Sequence, residues 1–70
     1  MITASWILEA RKKDILEHKE EVFYYLRVKE RNLAMLKKKN PKAFEESYFI
    51  YECVLCKVLE CGLKWKIKRF

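Results

Sequence analysis

The segment between Asn40 and Gly62 constrains the fold more than any other part of the chain. Asn40 is a good helix N-cap, and Pro41 suits the first helical position because its missing N–H leaves no intrahelical bond unmade there. Gly62 follows the last apolar residue of the pattern, where a left-handed C-cap is easiest for glycine. The intervening residues recur at the 3.6-residue period of an amphipathic helix. The stripe consists of Phe44, Tyr48, Tyr51, Leu55, Val58 and Leu59. We therefore predict a helix over about residues 41–61.

A longer helix is predicted before this one, over about residues 5–39, because the segment contains no glycine or proline. Thr3 or Ser5 can cap its start. One of its faces carries an apolar stripe made of Leu8, Ile15, Val22, Leu26 and Leu33. A tight corner at Asn40-Pro41 then folds the two helices against each other. The predicted fold class is all-α, as a helical hairpin or a three-helix unit.

The two predicted helices differ in length. At 1.5 Å per residue, the first would extend for roughly 52 Å and the second for roughly 31 Å, so roughly 20 Å of the first would lack a partner. Either the first helix breaks near Glu17–Glu21, which gives three helices, or its overhang packs on another chain. Because no residue there forces a break, we favour a continuous helix whose overhang is covered by a second copy.

A second apolar face on the first helix favours the same interpretation. This face lies opposite the first stripe when the chain is turned by about 100° per residue. It consists of Trp6, Ala10, Tyr24, Val28 and Met35. A two-helix hairpin buries one face of each helix, so a second apolar face is typical of an oligomer or of a partner-binding surface. The alternative is that these residues are ordinary surface side chains. We predict a homodimer interface formed by Trp6, Tyr24, Val28 and Met35.

The pattern changes after Gly62. Residues 63–68 alternate between apolar and basic side chains, which is the two-residue period of a β-strand. No partner strand is visible in the chain. The segment 63–70 therefore either pairs with its own copy across a dimer, docks on the helices, or extends freely as a basic tail.

The composition limits the class of protein. Seventy residues form one domain at most. One glycine and one proline leave too few turns for a many-stranded β fold. A hydrophobic fraction of 51% is too high for disorder, and a charged fraction of 37% is too high for a membrane protein, so a membrane partner is not expected. Three cysteines without a secretory leader indicate reduced thiols in a cytoplasmic protein.

The cysteines offer the only candidate metal or redox motif. Cys53 and Cys56 have the spacing of a zinc or redox pair. On a continuous helix, however, Cys61 lies roughly 12 Å beyond Cys53 and faces elsewhere. A redox pair also works best at a helix N-terminus, whereas this pair lies in the middle of the predicted helix. The single histidine, His18, belongs to a charge-rich run typical of an exposed face. We expect no metal, no cofactor and no catalytic residues.

Basic residues give the strongest functional signal. The net charge is +6, and the lysines gather at two places. One cluster surrounds the predicted corner and consists of Lys37, Lys38, Lys39 and Lys42; the other is C-terminal and consists of Lys64, Lys66, Lys68 and Arg69. Both would attract phosphates or an acidic protein partner, and Trp65 or Phe70 can stack on an unpaired base. The alternative is that the lysines serve solubility and offset the helix dipole. In an antiparallel hairpin the two clusters are expected to lie far apart.

Together these features predict a small non-enzymatic interaction or regulatory protein that self-associates and binds a larger protein partner. Its size and composition are typical of an accessory protein or inhibitor from a phage or mobile element. The alternative function is a nucleic-acid-binding module that uses the basic clusters at the corner and in the C-terminal segment.

Overall fold

The computed structural model describes residues 2–68 and 70, and this part of the chain is helical with no β-strand. The elements are α1 (Ala4–Glu9), α2 (Lys12–Glu17), α3 (Lys19–Lys39) and α4 (Pro41–Glu60). The predicted all-α class is confirmed, and the arrangement is compatible with a helical hairpin to which shorter helices are added. Helices α3 and α4 pack against each other, and α1 packs against α4.

The prediction of one continuous helix over residues 5–39 is wrong. The backbone is extended at Ala10 (ψ 154°) and Arg11 (ψ 158°), and it leaves helical geometry again at His18 (φ −109°, ψ 28°). The second break lies within Glu17–Glu21, the region in which the three-helix alternative places one. No glycine or proline in the sequence marks the first break. Thr3 caps α1, because its hydroxyl accepts a hydrogen bond from the Trp6 N–H at 3.2 Å.

Packing explains the two breaks. A straight helix over residues 5–39 would extend for roughly 52 Å, whereas the longest extent of the chain is 37 Å. The breaks turn the N-terminal part back onto α4, so that Ile7 and Ile15 are both fully buried. Leu8, which the predicted stripe included, is instead exposed. The overhang is thus folded back onto the chain's own helices, with α1 on α4 and α2 on α3.

Helix α4 begins and ends as its capping residues predict. The Asn40 side chain accepts a hydrogen bond from the Ala43 N–H at 3.2 Å, and Pro41 is the first helical residue. At the other end, Gly62 has φ +91° and donates to the Leu59 carbonyl at 3.0 Å, while Leu63 donates to the Val58 carbonyl at 3.4 Å. These two bonds form a Schellman motif.

The core lies between α3 and α4, and α1 and α2 close it from one side. Its buried residues are Ile7, Ile15, Val22, Leu26, Leu33, Tyr51, Val54, Leu55, Val58 and Cys61. The Lys57 ammonium donates to the Leu8 carbonyl at 3.1 Å, which ties α4 to the end of α1. The segment 63–70, called the tail below, docks on the core through Leu63, Trp65 and Phe70, and its described residues form no strand.

The left-handed conformation of Gly62 allows a direct test of how the C-terminal end of α4 is stabilised. We expect Gly62→Ala to lower the free energy of unfolding by about 1–2 kcal/mol, because an L side chain is strained at positive φ. A Cβ added at Gly62 would meet nothing within 4 Å, so backbone strain alone is measured. Gly62→Asn is the matched control, since asparagine tolerates this region better. Urea unfolding checks the result, and an alanine variant as stable as the native chain would contradict it.

Candidate functional site

The tail is held by a partly buried hydrogen-bonding centre on α3. One carboxylate oxygen of Glu30 accepts two hydrogen bonds, from the Trp65 indole N–H at 2.8 Å and from the Tyr51 hydroxyl at 2.7 Å. The Trp65 ring also stacks on Phe23, with ring centroids 5.2 Å apart and planes inclined by 21°. One acidic side chain therefore joins α3, α4 and the tail.

Tyr51 is buried at this centre, with 2% of its surface exposed. Burial raises the pKa of its hydroxyl well above 10.0, and the hydrogen bond and negative charge of Glu30 raise it further. Both effects favour the neutral phenol, which can donate to the carboxylate. Burial also raises the pKa of Tyr25, on the same helix as Glu30.

The end of the tail is held by aromatic packing. The Phe70 ring meets Phe44 and Tyr48 at centroid distances of 5.9 Å and Tyr51 at 6.2 Å, all in edge-to-face geometry. Each such pair contributes about 0.5–1.5 kcal/mol beyond the area that it buries. The Lys68 ammonium lies 5.7 Å from the centre of the Phe70 ring, in cation–π geometry.

These contacts fix the direction of the tail. It leaves the end of α4 at Gly62 and runs back to Phe44, which is three residues after Pro41 and so about 5 Å along the helix from its start. The C-terminal segment thus returns towards the end of α4 that carries Lys42. The expectation that the two basic clusters lie far apart took no account of a docked tail, whose last residue, Phe70, contacts Phe44, two positions after Lys42.

Every basic residue of the two clusters that the structure describes is exposed to solvent. These residues are Lys37, Lys38, Lys39, Lys42, Lys64, Lys66 and Lys68. Arg69, the remaining member of the predicted set, lies outside the described residues. Trp65 and Phe70 are each half-buried against aromatic rings of the protein itself, so neither ring is a free platform for a nucleobase.

The predicted association residues lie on two different helices. Tyr24, Val28 and Met35 share the outward face of α3, at steps of four and seven residues, and we call them the outward stripe. Tyr24 is 60% and Met35 55% exposed, and Val28 is half-buried. Trp6 lies on α1, where it packs edge-to-face on His18 at 5.4 Å. The breaks in the N-terminal segment therefore separate Trp6 from the other three.

The cysteines lie in three different environments. Cys53 is half-buried, Cys56 is exposed and Cys61 is part of the core. Within residues 2–68 and 70, no group of three or more histidine, cysteine, aspartate or glutamate side chains is placed to hold a metal ion. The outward side of α4 also carries Phe49, which is 68% exposed.

Glu30 is the residue that the sequence analysis misses. Glu30 interrupts the apolar stripe of α3, and at such a position the sequence predicts only a side chain at the edge of the core. The available signal is indirect. A carboxylate within an apolar stripe needs hydrogen-bond donors, and the hydroxyl of Tyr51 and the indole N–H of Trp65 need partners when they are buried.

Comparison with known proteins assigns no function to this chain. No protein-family model matches it, and neither a curated protein nor a solved structure is significantly similar to it. In the part of the chain that the structure describes, every helix is too short or too polar to cross a membrane. Function must therefore be inferred from the surfaces described above.

The Glu30 centre predicts a specific pattern of stabilities. We expect Glu30→Ala to lower the free energy of unfolding by about 1–3 kcal/mol, because the buried Tyr51 hydroxyl loses its acceptor. Glu30→Gln should lose less, since its amide oxygen can still accept. Glu46→Ala, at an exposed position of α4, should stay within about 0.5 kcal/mol of the native chain. Urea unfolding measures all three, and equal stability of the alanine, glutamine and native chains would exclude the role given to Glu30.

The raised pKa of Tyr51 predicts sensitivity to alkali. Because the folded-state pKa lies above the usual 10.0, the contribution of this group is complete below pH 10.0 and is lost as pH rises beyond it. The slope from one such group is at most about 1.4 kcal/mol per pH unit. Tyr51→Phe should therefore flatten the alkaline fall in the free energy of unfolding. Tyr24→Phe, at an exposed ring, is the matched control; identical slopes in the native chain and Tyr51→Phe would count against the assignment.

Proposed function

We propose that the protein is a small non-enzymatic interaction module that self-associates through the outward face of α3. The observation that carries this proposal is the exposure of the outward stripe. Tyr24 and Met35 present 60% and 55% of their surface to solvent, and Val28 lies between them on the same face. A row of apolar side chains at steps of four and seven residues is typical of a helix that packs against another helix.

The charges of α3 favour a second copy in antiparallel orientation as the occupant of this face. The first turn of α3 contains Glu20 and Glu21, and its last turn contains the three lysines at positions 37–39. Antiparallel pairing brings the acidic end of each copy to the basic end of the other, and the two helix dipoles also oppose. Parallel pairing would place like charges together, which costs free energy.

The sequence fits one register of this pairing. A two-fold axis between positions 29 and 30 of α3 places Tyr24 opposite Met35 of the second copy. The same axis places Glu21 opposite Lys38 and Glu20 opposite Lys39. Such an interface is self-complementary, as two-fold symmetry requires. Because two-fold symmetry repeats each pair, the apolar contacts then lie between two pairs of opposite charges at each end of the interface.

A larger protein partner is the second part of the proposal. Phe49, on the outward side of α4, is the most exposed of the large apolar side chains and does not belong to the outward stripe. A dimer formed through α3 would leave two copies of this side chain free for a partner. An accessory protein or inhibitor of a phage or mobile element, acting by covering a surface of a larger protein, is consistent with this size and composition.

Solution mass with paired charge reversals tests the dimer. By light scattering, the native chain should have twice its mass of 8.6 kDa. Glu20→Lys combined with Glu21→Lys should give a monomer, and so should Lys38→Glu combined with Lys39→Glu, because each change places like charges opposite each other. An equimolar mixture of the two variants should restore the dimeric mass.

Two controls make this result specific. Circular dichroism should show that both variants retain the helical content of the native chain. Tyr24→Asp should also give a monomer, because it places a carboxylate against Met35 of the second copy. A native chain that is monomeric at all concentrations, or variants that fail to form mixed dimers, would overturn the proposal.

A further inference from the structure

We propose that the docked tail is a binding site for the phosphate backbone of nucleic acid. The site is a row of lysines that face solvent at alternate positions: Lys64, Lys66 and Lys68. We call these three residues the lysine row. The tail residues that pack on the protein, Leu63, Trp65 and Phe70, are half-buried. Over residues 63–66 the alternation separates anchors from cations, whereas Ile67 is exposed together with the lysines beside it.

The anchors fix the lysine row in space. Trp65 is held by its hydrogen bond to Glu30 and by stacking on Phe23. Phe70 packs edge-to-face against Phe44, Tyr48 and Tyr51 of α4. At the rise of a fully extended chain, about 3.3 Å per residue, successive lysines of the row would lie roughly 6.6 Å apart. A docked tail has already lost backbone freedom that a free tail would lose on binding.

Other cations lie beside this row. Lys37 follows Glu30 by two helical turns, so it lies on the tail side of α3. Phe70 reaches Phe44 in the first turns of α4, close to Lys42. Across residues 2–68 and 70, the contact of His18 with Glu21 at 3.3 Å is the only one between a basic and an acidic side chain within 4.0 Å, so none of these lysines pairs with a carboxylate at that distance.

The same geometry favours phosphates over bases and over lipid. Stacking on bases requires an exposed aromatic ring, and insertion into a membrane requires exposed tryptophan or phenylalanine. Both aromatic rings of the tail instead pack against other aromatic rings of the chain, Trp65 against Phe23 and Phe70 against Phe44. Only Ile67, which is 62% exposed, remains as an apolar tail residue facing solvent. We therefore expect binding without sequence preference and with a steep dependence on salt.

The lysine row and the outward stripe lie on different elements, so this proposal does not rest on self-association. Four phosphate contacts, from the lysine row and Lys37, would give a slope of log affinity against log salt of about −3 to −4 on duplex DNA. Fluorescence anisotropy with short labelled DNA duplexes of two unrelated sequences measures this slope for the full chain.

A matched pair of triple variants separates the lysine row from net charge. Lys64→Gln, Lys66→Gln and Lys68→Gln together lower the net charge of +6 by three, and so do Lys12→Gln, Lys13→Gln and Lys19→Gln, which are exposed positions of α2 and α3. The tail variant should bind at least tenfold more weakly at low salt, and its slope should be reduced by about 2 to 3. The control variant should keep most of the affinity.

The role of tail docking is tested by Trp65→Ala combined with Phe70→Ala. This variant keeps every lysine but removes both aromatic anchors of the tail. We expect severalfold weaker binding, with circular dichroism confirming that the helices persist. Equal loss in the two triple variants would overturn the proposal in favour of general charge attraction. Absence of DNA binding in the native chain would overturn it as well, and binding to vesicles of anionic phospholipid without binding to DNA would replace it with a membrane site.

Discussion

The carboxylate of Glu30 is the contact on which the placement of the other parts depends. It accepts hydrogen bonds from α4 through Tyr51 and from the tail through Trp65, so three segments that are distant in sequence meet at one oxygen atom. An acidic group at the edge of an apolar core is costly unless it is paired with donors. Here the donors come from the two segments that must be positioned. The pairing thus gives directional specificity to packing that apolar contacts alone would leave loosely defined.

The placement of the tail organises the surface as well as the core. By running back over α3 and α4, the tail covers aromatic rings that would otherwise form an exposed apolar groove. It also turns its lysines outward on the side of the molecule away from the outward stripe of α3. A chain of 70 residues therefore carries an apolar face and a basic face on separate elements. Such a division lets one molecule engage two different kinds of partner.

Local sequence signals predict only the parts of this fold that local chemistry determines. The caps at Asn40 and Gly62 define α4, because a cap depends on residues within one turn. The breaks at Ala10 and His18 have no such signal, since they accompany the burial of Ile7 and Ile15 as α1 packs against α4 and α2 packs against α3. For the same reason the continuous helix over residues 5–39 could not be excluded from the sequence.

The candidate sites show the same division. Tyr24, Val28 and Met35 could be assigned to one face from helical periodicity, because α3 is continuous across them. Trp6 could not be separated from them without knowledge of the breaks. From the sequence alone, the alternating tail is equally typical of a β-strand, and Glu30 is only an interruption of an apolar stripe. The structural role of both depends on the hydrogen bond between Glu30 and Trp65, which are 35 positions apart and share no local pattern.

The single-residue link at Asn40 between the two long helices has a consequence for how the chain folds. Helices α3 and α4 are neighbours in sequence, so bringing them together closes a very short loop and costs little chain entropy. The contacts of the tail and of α1 span 35 and 49 positions. Proteins form local contacts more readily than distant ones, so we expect α3 and α4 to form the folding nucleus and the two ends of the chain to join it late. Stabilising either end would therefore slow unfolding while leaving the folding rate almost unchanged.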